Sequence, residues 1–161
     1  MAMPSKKASA KHIIESPQAM HNLGVQLGAT FKPGDLVLLT GPLGAGKTTL
    51  TRGIGEALGA IGNVSSPTFV IARTHKLEGQ EHVLVHVDAY RLSSAAELDD
   101  LDIDFENSIT IVEWGKGYTD GITDRWIEID IERDHTGESE VREVIISEHK
   151  TATDSGGAAN A

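Results

Sequence analysis

The sequence predicts an α/β domain, a three-layer sandwich whose mixed sheet is parallel at its centre and antiparallel at its margins. Three observations carry that prediction. An apolar run, Leu36–Thr40, feeds the glycine-rich loop Gly41-Pro42-Leu43-Gly44-Ala45-Gly46-Lys47-Thr48, after which Leu50, Ile54 and Leu58 recur every four residues as on a helix. A second apolar run, Ile109-Thr110-Ile111-Val112, ends in the carboxylate of Glu113. Further on, Ile127, Ile129 and Ile131 alternate with Glu128, Asp130 and Glu132, the period of an antiparallel strand with one solvated face. Strand, G-x-x-x-x-G-K-[ST] loop and helix in that order are the marks of the P-loop NTPase sandwich.

In chain order, residues 1–12 are small and basic and predict a disordered leader, with the folded domain over residues 13–148 and a disordered tail over 149–161. Ser16 is an N-cap followed by Pro17 at the first helical position, and Met20, Leu23, Val25 and Leu27 carry that helix to Gly28. Lys32-Pro33-Gly34-Asp35 turns the chain into the strand before the loop, and Gly59 stops the helix after it. Residues 69–75 and 82–88 read as strands joined by a turn at Glu78-Gly79-Gln80, hence a hairpin. Ser93-Ser94 opens a short acidic helix through Glu97 and Leu98, and Ile103-Asp104-Phe105 forms another turn before the strand that ends at Glu113. Asp134-His135-Thr136-Gly137-Glu138 reverses the chain, and residues 141–146 return beside the alternating strand.

At 161 residues the chain is one domain by length. With no cysteine there are no disulfides, thiolate metal sites or cysteine nucleophiles. No segment has the 18 or more apolar residues of a membrane helix, so a soluble, cytoplasmic protein with no membrane partner is expected. Lys and Arg number 14 against 24 acidic residues, a formal net charge of −10. A broad phosphate-backbone footprint needs basic residues, so no strong direct nucleic-acid binding is expected, and service to a nucleic-acid pathway would run through a protein partner.

The loop supplies the chemistry of phosphate binding. Gly41, Gly44 and Gly46 let backbone N–H groups converge on oxygen at a helix N-terminus, together with those of Leu43 and Ala45. Lys47 reaches the β- and γ-phosphates, the Thr48 hydroxyl ligates Mg²⁺, and Thr49 extends the rim. By composition the four fixed positions would co-occur by accident in about 1% of chains of this length. Phosphoryl transfer from ATP also needs a carboxylate at a neighbouring strand end and a group that orients the attacking oxygen. Glu113 and Asp88 both end strands, and either also reads as a solvated acid at a strand tip. Ser66 and Thr68, around Pro67, read equally as a turn and as a switch segment offering hydroxyls near the γ-phosphate. Tyr90 and Arg91 follow Asp88, where the arginine would neutralise phosphate charge or pair with a surface acid; Trp114 follows Glu113 and reads as core or as a site neighbour. His82 and His86 share a strand face without a third zinc ligand, and His86, beside Asp88, reads as support for that acid.

Residues 41–49, the segment Gly62-Asn63-Val64-Ser65-Ser66-Pro67-Thr68, the segment His86-Val87-Asp88-Ala89-Tyr90-Arg91-Leu92, and Val112-Glu113-Trp114 occur in the order and approximate spacing of the bacterial TsaE (YjeE) family. The chain resembles that family over about residues 13–148. The resemblance implies an Mg²⁺-dependent P-loop ATPase of tRNA threonylcarbamoyladenosine biosynthesis. It would bind ATP and work with the TsaB–TsaD pair, which modifies adenosine 37 of ANN-decoding tRNAs. Carried over by motif, Lys47 binds phosphate, Thr48 and Glu113 hold Mg²⁺, Asp88 supports catalysis, Ser66 and Thr68 belong to a switch loop and Trp114 neighbours the site. The adenine side falls near Pro17 and Gly137. Pro42 departs from the acidic residue common in the family at that place, a position that sets loop geometry. The rival reading is a small nucleoside or metabolite kinase, but residues 114–126 hold a single arginine, Arg125, where a kinase lid needs several. A GTPase would need an Asn-Lys-x-Asp motif, which the sequence lacks.

Overall fold

The computed structural model describes residues 4–42, 44–62, 64, 71–134, 136 and 138–151. Its elements are β1 (Pro4–Ile14), α1 (Pro17–Gly28), β2 (Leu36–Thr40), α2 (Lys47–Leu58), β3 (Ala72–Lys76), β4 (Val83–Asp88), α3 (Ala95–Asp99), β5 (Ser108–Glu113), β6 (Arg125–Arg133) and β7 (Arg142–Thr151), with 3₁₀ turns at Ala89–Arg91 and Phe105–Asn107. Among the described residues seven strands form one sheet in the order β1-β7-β6-β2-β5-β4-β3. β2 runs parallel to both β5 and β6, and β4 parallel to β5, while the β3–β4, β6–β7 and β1–β7 pairs are antiparallel. The mixed sheet with its parallel centre is therefore present as the sequence predicts.

Burial explains why the apolar runs sit in the middle. Leu36 to Leu39 of β2 are buried on both faces, as a central parallel strand requires. On one face Val37, Leu39, Ile109, Ile111 and Ile129 pack against Met20 and Leu23 of α1 and Leu50 and Ile54 of α2. Each such side chain contributes about 1.5–3 kcal/mol on burial. On the other face Leu36, Leu38, Val85, Val87 and Val112 are covered by Leu98 of α3 together with Phe105, Tyr118 and Trp126. That outer layer is thin, one short helix plus turns.

Local signals hold the helices in register. Ser16 Oγ accepts the Ala19 N–H at 3.1 Å, so α1 starts at Pro17. Gly59, at φ 78°, caps α2 in the left-handed region where a side chain would be strained.

Three expectations are corrected. The leader is not unstructured from residue 4 on, because β1 forms a long antiparallel ladder with β7 from Pro4↔Thr151 to Ile14↔Arg142. Main-chain groups make such a ladder whatever the side chains, and a lysine such as Lys11 suits a strand that is outermost among the described residues. The tail expected from residue 149 likewise loses its first three residues to β7, which runs to Thr151. Finally, β6 is antiparallel only to β7 and parallel to β2, an arrangement that period-two alternation does not distinguish. In the predicted hairpin the first strand begins at Ala72, and residues 69 and 70 lie outside the described residues.

Candidate nucleotide site

At the carboxyl ends of the parallel strands, Gly41 leaves β2 with its α-carbon pressed against Ile131. A β-carbon there would lie 3.1 Å from both the Cβ and the carbonyl oxygen of Ile131. Gly46 then adopts φ 110° at the N-cap of α2, a conformation that disfavours any side chain. The turn leaves the first N–H groups of α2 without helical partners, directed at the loop.

A cavity of about 560 Å³ opens over this turn, lined by Gly44, Gly46, Lys47, Thr48, Thr49, Asp88, Tyr90, Arg91, Glu113 and Trp114. Lys47 Nζ donates to the Gly41 carbonyl at 2.6 Å, lies 3.8 Å from Glu113 Oε1 and sits 4.6 Å from the Trp114 ring centroid. Trp114 takes φ 60°, a rare conformation for an aromatic residue, while its N–H donates to the Leu39 carbonyl at 3.0 Å. That turn puts the ring over the lysine instead of continuing β5.

Sheet register brings the two acids together. Asp88 and Glu113 are partners at the ends of β4 and β5, so both project to one face, the face on which α2 packs. Glu113 is 4% exposed, and its Oε2 accepts from His86 Nε2 at 2.6 Å, inside β4. Asp88 is less enclosed. Its Oδ1 accepts the Tyr90 N–H at 3.1 Å, and Oδ2 lies 3.5 Å from Arg91 Nε. Tyr90 stands 77% exposed at the rim, its ring tilted against Trp114 with centroids 5.9 Å apart.

A smaller cavity of about 130 Å³ lies on the other side of the loop, lined by Ser16, Pro17, Met20, Gly44, Ala45, Gly46, Thr49, Glu140 and Arg142. Arg142 Nη2 donates to the Gly44 carbonyl at 3.4 Å. Pro17 thus borders the loop. Glu140 and Arg142 border it too, and nothing in the sequence singled them out, since they reach the loop only through the return of β7. His86, which the sequence places beside Asp88, makes its hydrogen bond to Glu113 instead. Leu43, Ser66, Thr68 and Gly137 lie outside the described residues.

The donor set suits a hard cation carried by phosphate. Thr48 and Glu113 offer one hydroxyl and one carboxylate on the wall of one cavity, and Mg²⁺ takes one or two protein oxygens while phosphates and waters complete its octahedron. Among the described residues no three His, Asp or Glu groups converge as a self-sufficient metal cage. Of residues 114–126, Trp114 alone lines the cavity: Tyr118 and Ile122 pack on the opposite face of the sheet, and Arg125 begins β6 at the far end of the strands. No helix is long and apolar enough to cross a membrane among the described residues.

Fold and loop together define a P-loop protein of the α/β class. A sequence profile described as threonylcarbamoyl adenosine biosynthesis protein TsaE matches residues 14–144. The tRNA threonylcarbamoyladenosine biosynthesis protein TsaE of Streptomyces coelicolor is 52% identical over 117 residues, covering 71% of this chain and 79% of that protein. Its namesake in Bacillus subtilis is 35% identical, covering 78% and 79%. The crystal structure of Bacillus subtilis YdiB superposes with a TM-score of 0.70 at 28% identity, over 89% of this chain and 86% of that one. The chain belongs to the TsaE family, and so to the proteins of tRNA threonylcarbamoyladenosine biosynthesis.

Proposed function

We propose that this chain binds and hydrolyses ATP with Mg²⁺, and that this cycle drives or resets the TsaB–TsaD pair as it modifies adenosine 37 of ANN-decoding tRNAs in the cytoplasm. The observation that carries the reading is the convergence of Lys47, Glu113 and Asp88 on one cavity at the mouth of the loop. Backbone N–H groups from Gly44 to Thr49 cradle the β-phosphate. Lys47, which donates to the Gly41 carbonyl, gives that donor to the β- and γ-phosphate oxygens, where a charged acceptor makes the stronger bond. Thr48 and Glu113 would hold Mg²⁺, which when bound draws charge from the β- and γ-oxygens. Asp88, fixed through both oxygens by the Tyr90 N–H and Arg91, accepts a hydrogen bond from the attacking water and aims it in line with the γ-phosphorus. Pro17 borders the adenine, and the switch role of Ser66 and Thr68 belongs to the same reading.

Water rather than a second substrate is the acceptor because no arginine-bearing lid stands over the cavity within residues 114–126. The net charge of −10 supports a protein partner in preference to direct tRNA binding. The test is ATP hydrolysis by the full chain, alone and with the TsaB–TsaD pair, without any small-molecule phosphate acceptor. Stimulation by the pair is expected. Hydrolysis that is absent in both mixtures, or that requires a nucleoside or metabolite acceptor, would overturn the proposal.

A further inference from the structure

His86 occupies a place where packing alone calls for an apolar residue. It sits inside β4 between Val85 and Val87, hydrogen-bonded strands lie on both sides, and its side chain is fully buried. Burying an imidazole costs free energy unless its nitrogens are used. Here Nδ1 has no hydrogen-bond partner among the described residues, and the one bond the ring makes is from Nε2 to Glu113 Oε2 at 2.6 Å. A carboxylate accepts, so Nε2 carries the hydrogen and donates. The ring thus bears a burial cost for the sake of a single side chain, which ends the neighbouring strand two positions beyond the histidine's own partner, Ile111.

Resting on the nucleotide-site reading above, we propose that His86 is the positioning residue for Glu113. By holding Oε2 from inside the sheet it leaves Oε1 facing the cavity wall shared with Lys47 and Thr48. The geometry also shows what it prevents. Lys47 Nζ stands 3.8 Å from Oε1, longer than a close ion pair. Without the histidine the carboxylate is free to swing onto the ammonium, which removes the anionic oxygen from the metal and the donor from the phosphate together. A group that orients a metal-binding carboxylate is worth about 10–100-fold in metal affinity.

The test uses the full chain with ADP and Mn²⁺, a spectroscopic stand-in for Mg²⁺, and compares His86→Leu with His86→Gln, whose amide nitrogen reaches the position of Nε2. Mn²⁺ affinity of the ADP complex is read by electron paramagnetic resonance, ADP affinity in EDTA by calorimetry, and folding by circular dichroism. The leucine variant is expected to bind Mn²⁺ about 10–100-fold more weakly with metal-free ADP affinity unchanged, and the glutamine variant to stay within about threefold of wild type. If the leucine variant does not fold, His86→Asn takes its place, because its shorter amide stops before Glu113; asparagine weak and glutamine near wild type supports the proposal. Wild-type Mn²⁺ affinity in the leucine variant, or equal weakening in the variants with and without the long amide, would overturn it. A wild-type chain that binds no Mn²⁺ with ADP overturns the nucleotide reading itself and this proposal with it.

Discussion

Lys47 is held by the Gly41 carbonyl and an indole face, with the Glu113 carboxylate 3.8 Å away, so its removal separates a binding role from a packing one. Lys47→Ala leaves Glu113 with its His86 bond, and the cost in stability is expected to be about 1–3 kcal/mol. Loss of two charge-assisted contacts to phosphate should weaken ATP at least about 100-fold. Calorimetry beside a thermal melt decides, and unchanged affinity would take Lys47 out of the site. Thr48→Ala and Glu113→Gln should each raise the Mg²⁺ concentration needed for hydrolysis, with binding of metal-free nucleotide retained; normal turnover by both at limiting Mg²⁺ would refute the metal assignment. Asp88→Asn keeps the Tyr90 cap but loses the charge, and the expected cost is about 10²–10⁴-fold in turnover with little change in affinity. Wild-type turnover would return Asp88 to a 3₁₀ cap. Residues inside the motifs could be read from spacing because loop, lysine and hydroxyl act within one turn of chain. Glu140 and Arg142 could not, because β7 brings them to the loop from the far end of the sequence.

α1 and α2 meet backbone to backbone. A β-carbon on Gly24 would lie 2.2 Å from the Leu50 carbonyl oxygen, and one on Gly53 2.2 Å from that of His21. His21 Nε2 also pairs with Glu56 across the same contact. Since α2 begins at Lys47, this crossing sets the direction from which the loop's N–H groups point. Gly24→Ala must push the helices apart, and a loss of about 1–3 kcal/mol or more is expected in denaturant unfolding, with weaker nucleotide binding in whatever remains folded. A variant as stable as wild type would mean that the crossing yields freely. The helix itself was legible from Ser16-Pro17 and its apolar spacing, but its close approach to α2 was not, because a glycine in a helix pattern does not name the backbone it faces. β1 was hidden for a related reason: its partner is more than a hundred residues away, and a lysine-bearing edge strand carries no apolar period.

At the scale of the whole molecule, three side chains among the described residues whose proton affinity changes on folding divide stability by pH. Burial holds His75 below its ordinary value of 6.5, helped by the charges of His86 and Arg73. Asp134 is held below 3.8, chiefly by its hydrogen bond with Thr136. Lys116 is raised above 10.5: burial would lower it, but hydrogen bonds and charge from Asp130 and Glu128 outweigh that. Lys116 therefore stabilises fully below 10.5, and its contribution fades as pH rises through its folded value. Asp134 stabilises above 3.8 and is lost as pH falls through its folded value, so between pH 8 and 5 neither contributes a slope. His75 works in that interval and with the opposite sense to a paired histidine. Above 6.5 both states carry it neutral, and it contributes no slope. As pH falls through 6.5 the unfolded chain takes up the proton first, so the folded state loses ground until its own lower value is passed. Its Nε2 has no partner among the described residues, so no acceptor offsets the penalty of charging it. Denaturant unfolding of wild type and His75→Leu at pH 8, 6.5 and 5 isolates the effect, because the other six histidines are common to both. Wild type is expected to lose more stability than the variant on going from pH 8 to pH 5, and parallel losses would show that His75 charges as readily folded as unfolded.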